Sequence, residues 1–99
     1  MNNILIPAVI QNDQTKEVLM MGYMNDESLA RTKQTGWVWF WSRSKNRLWK
    51  KGETSGNALR VKCIFRDCDD DALLILVDPL GPTCHTGDIS CFTKKEEYL

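Results

Sequence analysis

The sequence predicts a mainly β domain of the α+β class, with one helix. Its 99 residues are enough for one domain and too few for two. Hydrophobic residues make up 42% of the chain, and they fall into short runs bounded by polar turns, the pattern of strands. A chain of this length buries only about two thirds of its unfolded surface, so packing against a second copy would stabilise it.

Short strand-like runs recur along the chain. Residues 4–10 and 18–23 flank the polar stretch 11–17, which predicts a hairpin. Pro7 favours the sheet edge for the first of these strands, because proline donates no hydrogen bond to a ladder. Further strands are predicted at residues 37–41, 58–65 and 72–77.

The helix is predicted between Asn25 and Gly36. Asn25 is a good N-cap, and Asp26 and Glu27 suit the positive end of the first turn. Residues 29–35 supply the body of the helix, and Gly36 is placed to end it at the C′ position.

Residues 37–41 read Trp-Val-Trp-Phe-Trp and have no polar face. A period of two places the three tryptophans on one side and Val38 and Phe40 on the other. Such a strand needs cover on both faces, by the domain's own core on one and by a second subunit as the candidate for the other.

Charge and hydropathy restrict the function classes. Thirteen Lys and Arg residues balance thirteen Asp and Glu residues, which argues against nonspecific binding to nucleic acids or membranes. No apolar run approaches a membrane span, and the start of the chain lacks the pattern of a signal peptide. We therefore expect a cytoplasmic protein whose four cysteines are thiols or metal ligands rather than disulfides.

The basic residues cluster in residues 43–51, which contain no acid. Residues 51–57 then combine a cation, two hydroxyls and two glycines, whose backbone amides can approach an anion. The order of a Walker loop is absent. A solvated turn without a ligand would explain this cluster equally well. If the cluster does bind phosphate, the candidate residues are Arg43, Arg47, Lys51, Thr54 and Ser55.

Three of the four cysteines are metal-ligand candidates. Cys68 lies between aspartates, and Cys84 and Cys91 lie in the loop at residues 80–92, where packing gives no reason for a thiol. Three thiolates and a water are typical of catalytic zinc, whereas structural zinc would take a fourth ligand, which His85 could supply. Spacing alone fits zinc and merely reactive or tolerated thiols equally.

Cys63 is different from the other cysteines. It shares one face of a predicted strand with Val61 and Phe65. We therefore expect a small buried thiol in the core.

Asp67, Asp69 and Asp71 alternate around Cys68 and Asp70. Carboxylates suit Mg²⁺ or Ca²⁺. In an extended strand, however, residues two apart lie about 6.6 Å from each other, too far for three to bind one ion unless the backbone bends. An EF-hand loop is excluded, because an apolar strand follows.

Taken together, these residues resemble the phosphoribosyl-AMP cyclohydrolase family of histidine biosynthesis. One departure is Asp70, where that family usually has glycine. The resemblance runs from Leu5-Ile6-Pro7-Ala8 to Cys91-Phe92 and includes Ser42-Arg43-Ser44, Arg47-Leu48-Trp49, residues 51–56, Asp67-Cys68-Asp69 and Cys84-His85-Thr86-Gly87.

The resemblance implies one domain over residues 1–99, with a charged tail at residues 93–99, in a compact interlocked homodimer. The implied cofactors are Zn²⁺ and Mg²⁺. Zinc would be shared between Cys68 of one subunit and Cys84 and Cys91 of the other, and magnesium would be bound by Asp67, Asp69 and Asp71.

The implied reaction is zinc-dependent hydrolytic opening of the adenine ring of 1-(5-phosphoribosyl)-AMP. Water attacks C6 and the C6–N1 bond breaks, which yields a formimino imidazole carboxamide nucleotide. Magnesium and the basic cluster would hold the two phosphates. His85 is the candidate proton carrier, although a role as zinc ligand stays open.

Two other function classes remain. The basic stretch with Trp49 and the aromatic strand could form a single-stranded nucleic-acid-binding module, against which the zero net charge counts. A zinc nucleoside deaminase is the third alternative, although the H-x-E and P-C-x-x-C signature of such enzymes is absent.

Overall fold

Six strands and one helix make up the regular structure of residues 4–98, the part of the chain that the computed structural model describes. The predicted mainly β domain with one helix is confirmed. Residues 1–3 and 99, which belong to the predictions about the start of the chain and the charged tail, lie outside the described residues. The elements are β1 Ile6–Asn12, β2 Val18–Met24, α1 Asp26–Thr35, β3 Trp39–Ser42, β4 Arg47–Lys50, β5 Leu59–Arg66 and β6 Leu73–Pro79.

Four strands form a mixed sheet in the order β2-β1-β6-β5. The predicted β1–β2 hairpin is present, but β1 also pairs in parallel with β6 and is therefore a central strand. The expectation of an edge strand is wrong because Pro7 precedes the β1–β6 ladder, which begins at Ala8. Proline is tolerated at the beginning of a strand, where no ladder hydrogen bond is lost.

β3 and β4 form a separate antiparallel hairpin, in which Ser42 pairs with Arg47 and Trp39 pairs with Lys50. No strand is predicted between residues 41 and 58, so β4 is missed, because its only apolar residues are two that lie between charged ones. The predicted strand at residues 37–41 is also shorter, since Trp37 makes only an isolated bridge to Arg60.

The helix has the predicted caps. The side chain of Asn25 accepts a hydrogen bond from the Ser28 amide at 2.9 Å, and the Ser28 hydroxyl accepts one from the Asn25 amide at 2.9 Å. Gly36 ends the helix at φ 79°, a left-handed conformation that glycine adopts without strain. None of the described helices is long and apolar enough to cross a bilayer.

Two contacts fix the hairpin against the rest of the fold. The Trp39 amide donates a hydrogen bond to the buried Thr32 hydroxyl of α1 at 2.9 Å. Gly22 of β2 lies against the ring of Phe40, where an added Cβ would be only 2.5 Å from a ring carbon. The hairpin thus covers one face of the sheet, and their apolar side chains form a common core that includes Ala8, Ile10, Leu19, Met24, Val38, Phe40, Leu59, Ile75 and Val77.

A bulge in β5 decides which of its side chains reach this core. The register of β5 against β6 shifts between Val61 and Cys63, so that Val61 and Ile64 pack on the core. Phe65 is 51% exposed, and Cys63 is only half-buried. The predicted common core face of Val61, Cys63 and Phe65 is therefore wrong, because an extra residue reverses the alternation of side chains.

The other face of the sheet carries an apolar row. Phe65 pairs with Leu74, Leu74 with Val9, and Val9 with Met21, so the four side chains cross all four strands on one face. Met21 is 40% exposed, and Val9 and Leu74 are half-buried.

Replacing Gly22 with Ala should lower the free energy of unfolding by about 1–3 kcal/mol, because the new methyl group overpacks the Phe40 contact. Urea denaturation followed by circular dichroism measures the change. The double variant Gly22→Ala, Phe40→Leu should lose less free energy of unfolding than the sum of the losses in the two single variants. An unchanged urea midpoint for Gly22→Ala would contradict this account of the hairpin contact.

Candidate functional site

A cleft of about 560 Å³ lies between the loop that follows β4 and the loop that follows β6. Arg43 does not line this cleft. Its guanidinium lies 4.1 Å from the ring centroid of Tyr23, in a neighbouring depression of about 480 Å³. The cleft brings together six of the predicted site residues: Arg47, Lys51, Thr54, Ser55, Cys84 and His85.

The basic side of the cleft is held by ion pairing and by one strong hydrogen bond. Arg47 makes an exposed ion pair with Glu53 at 3.1 Å, which contributes little stability and can yield to a phosphate. The Lys51 ammonium donates a hydrogen bond to the carbonyl oxygen of Thr83 at 2.6 Å. Lys51 therefore ties the basic loop to the residue that precedes Cys84.

The loop after β6 is closed on itself and anchored on the sheet. The Cys84 amide donates to the carbonyl of Asp88 at 3.0 Å, and the Gly87 amide donates back to the carbonyl of Cys84 at 3.0 Å. The Cys91 amide donates to the carbonyl of Leu19 in β2 at 2.7 Å. These bonds bring two cysteines that are seven positions apart to one place.

The Cys84 and Cys91 thiols lie close enough for each to affect the pKa of the other. Hydrogen bonds from the side chain and the backbone of Thr86 lower the pKa of Cys84 below its usual 9.0. Burial raises the pKa of Cys91 above 9.0, and the neighbouring Cys84 adds to the increase. Cys84 therefore ionises first, and a thiolate forms beside a second thiol.

Cys68 lies at the other end of the sheet. The turn that contains it precedes β6, whereas the loop with Cys84 and Cys91 follows β6. The seven residues of β6 span about 20 Å at roughly 3.3 Å per residue. Within residues 4–98, the three cysteines do not form a common ligand group, since the one group of three potential metal ligands within 4.8 Å is Asp67, Cys68 and Asp69.

The acidic turn has the bend that an extended strand would lack. The Asp69 amide donates to the Asp67 carboxylate at 2.6 Å, and the Asp70 amide donates to the Asp67 carbonyl at 2.9 Å. Asp70 has φ 60°, where the glycine usual in the family would avoid a Cβ penalty. The bend brings Asp67 and Asp69 together, and Asp71 stands outside that group.

His85 is exposed at the cleft wall, with its Nδ1 atom 4.0 Å from the Cys84 sulfur. Within the described part of the chain, it does not complete a three-ligand group with Cys84 and Cys91. Its ring is therefore accessible to a molecule in the cleft.

The sequence analysis left Trp49 out of the candidate site, although it lines the cleft. The available signal was the alternation of Arg47, Trp49 and Lys51, which share one side of a strand if β4 is recognised.

Known proteins provide an independent comparison. The family model for phosphoribosyl-AMP cyclohydrolase matches residues 20–93, a span that contains every predicted site residue. A phosphoribosyl-AMP cyclohydrolase of Lacticaseibacillus casei is 62% identical over 90 residues, which cover 91% of this chain and 82% of the relative. A Listeria innocua protein of the same name is 59% identical over 96 residues, which cover 95% of this chain and 91% of that protein.

The chain belongs to the phosphoribosyl-AMP cyclohydrolase family. The resemblance found in the sequence is confirmed, and so is the prediction of an enzyme, a hydrolase of histidine biosynthesis. A histidine biosynthesis bifunctional protein of Bacillus subtilis is 59% identical over 92 residues, which cover 93% of this chain but 44% of that protein.

In the metal-free protein, the alkylation rate of Cys84 should have its midpoint below pH 9.0, and that of Cys91 above it. The Cys84 midpoint is the lower of the two because a thiol with a lowered pKa forms the reactive thiolate at a lower pH. Iodoacetamide labelling with peptide mass spectrometry measures both rates. Thr86→Val should raise the Cys84 midpoint, and Thr54→Val, elsewhere in the cleft, should leave it unchanged. Cys91 reacting at lower pH than Cys84 would refute the assignment.

Proposed function

We propose that this protein hydrolyses the C6–N1 bond in the adenine ring of 1-(5-phosphoribosyl)-AMP, in the cytoplasm. The observation that carries the proposal is the cleft itself, in which Cys84, whose pKa is lowered, and His85 face a basic loop rich in hydroxyls. Membership of the family supports this substrate. A cytoplasmic location fits the chemistry, because thiolate ligands need a reducing compartment.

The thiol pair fits one part of a zinc site. Cys84 and Cys91 are adjacent, and the lowered pKa of Cys84 favours the thiolate that zinc binds. Cys68 would be the third ligand, and the fourth position would stay open for water, as in other catalytic zinc sites. Zinc held there supplies Lewis acidity, which lowers the pKa of water to about 7.

The third thiolate would come from a second copy of the chain. β6, which is about 20 Å long, lies in the chain between Cys68 and the other two cysteines, and within residues 4–98 the three thiols do not form one ligand group. In a two-fold symmetric homodimer, each copy would supply the third zinc ligand of the other, so both zinc sites would be complete. The apolar row from Met21 to Phe65 supplies a surface for that association, because large exposed apolar patches mark interfaces.

The magnesium ion would then lie near the same cleft. Asp67, Asp69 and Asp71 belong to the turn that carries Cys68, so they would arrive with it from the partner. Their carboxylate oxygens suit Mg²⁺, which would balance the charge of a substrate phosphate. Arg47 with the hydroxyls of Thr54 and Ser55 would bind a phosphate from this chain, and Lys51 would hold the basic loop in place.

His85 would carry the proton. Its imidazole takes a proton from the water that attacks C6 and returns it to N1 as the C6–N1 bond breaks, so that water is consumed and no group leaves the nucleotide. An imidazole has one ring nitrogen that can accept a proton and one that can donate it, which suits both directions of transfer. Its exposed position on the cleft wall, outside a ligand group with Cys84 and Cys91, supports this role.

Turnover of 1-(5-phosphoribosyl)-AMP tests the proposal. The zinc-loaded protein should convert it to the imidazole carboxamide nucleotide without releasing ammonia. A chelator should stop the reaction, and zinc should restore it; the assay follows absorbance and free ammonia. Ammonia release would indicate a deaminase instead, and an unconverted substrate would reject the proposal.

The shared site predicts complementation. Cys68→Ser and Cys84→Ser should each bind little zinc and be inactive, whereas the Cys63→Ser control should keep both. Mixed heterodimers of Cys68→Ser and Cys84→Ser should regain activity, because one of their two sites has all its ligands. Heterodimers of verified composition that stay inactive would exclude a shared site, and monomeric mass in active enzyme would exclude the dimer.

His85→Ala should keep zinc and the dimer, bind substrate with little change, and lose about 10²–10⁴-fold in kcat. Steady-state kinetics and metal analysis of the same preparation measure these effects. Loss of zinc in step with loss of activity would identify His85 as a ligand. Full activity would exclude both roles.

A further inference from the structure

We propose that the purine ring of the substrate stacks on Trp49 as a platform, and that the cleft on one side and the neighbouring depression on the other each bind one of the substrate's two phosphates. The inference rests on the proposed function, because it takes a nucleotide with phosphates at both ends as the ligand. It assigns a positioning role to a side chain that makes no contact with the proposed metals.

Trp49 is rigidly supported. It lies on β4 directly opposite Phe40, and the two ring centroids are 5.2 Å apart with the planes tilted by 39°. Phe40 is fully buried, and Trp49 packs on the same core while staying half-exposed. A held indole that still presents part of its surface offers a large stacking area at little entropic cost.

Trp49 is the one residue in the described range 4–98 that lines both the cleft and the neighbouring depression. The cleft contributes Arg47 and the hydroxyl-rich loop at residues 51–55, and the depression contributes Arg43. Across the cleft and the depression, an aromatic ring therefore lies between two groups of cationic side chains. A purine that carries a phosphorylated ribose at each end has the complementary pattern of anion, ring and anion.

The Arg43 guanidinium is also suited to a phosphate. The guanidinium lies over the face of the Tyr23 ring, with its central carbon 4.1 Å from the ring centroid. This contact holds the guanidinium in place and leaves the N–H donors at the edge of the group for hydrogen bonds. The placement of Arg43 outside the cleft is then explained, since the second phosphate lies on the other side of the purine.

Stacking also agrees with attack at C6. An indole under the purine covers one face of the ring and leaves the opposite face open to water. The cleft side of Trp49 is the side that also contains Cys84 and His85. The purine would therefore bind on the side of Trp49 that contains the proton carrier, without using any hydrogen-bonding group of the base.

Trp37 serves as a matched control. The centroid of its ring is 5.0 Å from the Lys50 ammonium and 4.7 Å from the Arg60 guanidinium. Trp37 lines neither the cleft nor the depression. Trp49→Leu should raise both KM for 1-(5-phosphoribosyl)-AMP and Kd for AMP by about 5–100-fold, the range for loss of one base stack. Its kcat should change less than threefold, because stacking binds substrate and transition state alike. Trp49→Phe should restore most of the binding, and Trp37→Leu should bind like the unaltered protein.

A second readout does not depend on the stability of a variant. The protein has four tryptophans, so 5-fluorotryptophan labelling should yield four ¹⁹F resonances, with that of Trp49 identified through Trp49→Phe. AMP should shift the Trp49 resonance most and leave that of Trp37 in place. Turnover by the unaltered protein with no Trp49 shift, or with an unchanged KM in folded Trp49→Leu, would overturn the platform. A Trp49 shift in zinc-loaded protein without turnover would reject the proposed reaction and keep the platform.

Discussion

β6 runs through the sheet between β1 and β5, and its two ends carry the two halves of the proposed metal chemistry. The acidic turn with Cys68 enters at one end, and the loop with Cys84 and Cys91 leaves at the other. Because an extended strand cannot bring its own ends together, the length of β6 sets how the site is assembled. The proposed three-thiolate site would then need a second copy of the chain, and the apolar row on the open sheet face would offer that copy a surface.

The cleft depends on how the β3–β4 hairpin is held. The bond from the Trp39 amide to the Thr32 hydroxyl fastens the hairpin to the capped helix, and the fit of Phe40 against Gly22 fixes its height above the sheet. Through Phe40 the same packing supports Trp49, whose exposed side faces the cleft. Core packing thus positions the groups that would hold the substrate.

The two sides of the cleft are coupled through the backbone. The Lys51 ammonium donates to the carbonyl of Thr83, which precedes Cys84, so one hydrogen bond joins the basic loop to the loop that carries the thiols. The ammonium also favours the thiolate form of Cys91, against the burial that raises the pKa of that thiol. Thr86 acts on the other thiol, so that Cys84 ionises first of the two.

The sequence by itself determined the helix with both caps, the mainly β class, the chemistry of the candidate residues and the family. Each of these depends on residues a few positions apart or on ordered motifs. Tertiary structure alone decided that β1 is central, that a bulge turns Phe65 away from the core, and that β4 lines a cleft. These features depend on which distant strands pair and in which register, and local residue patterns do not specify that choice.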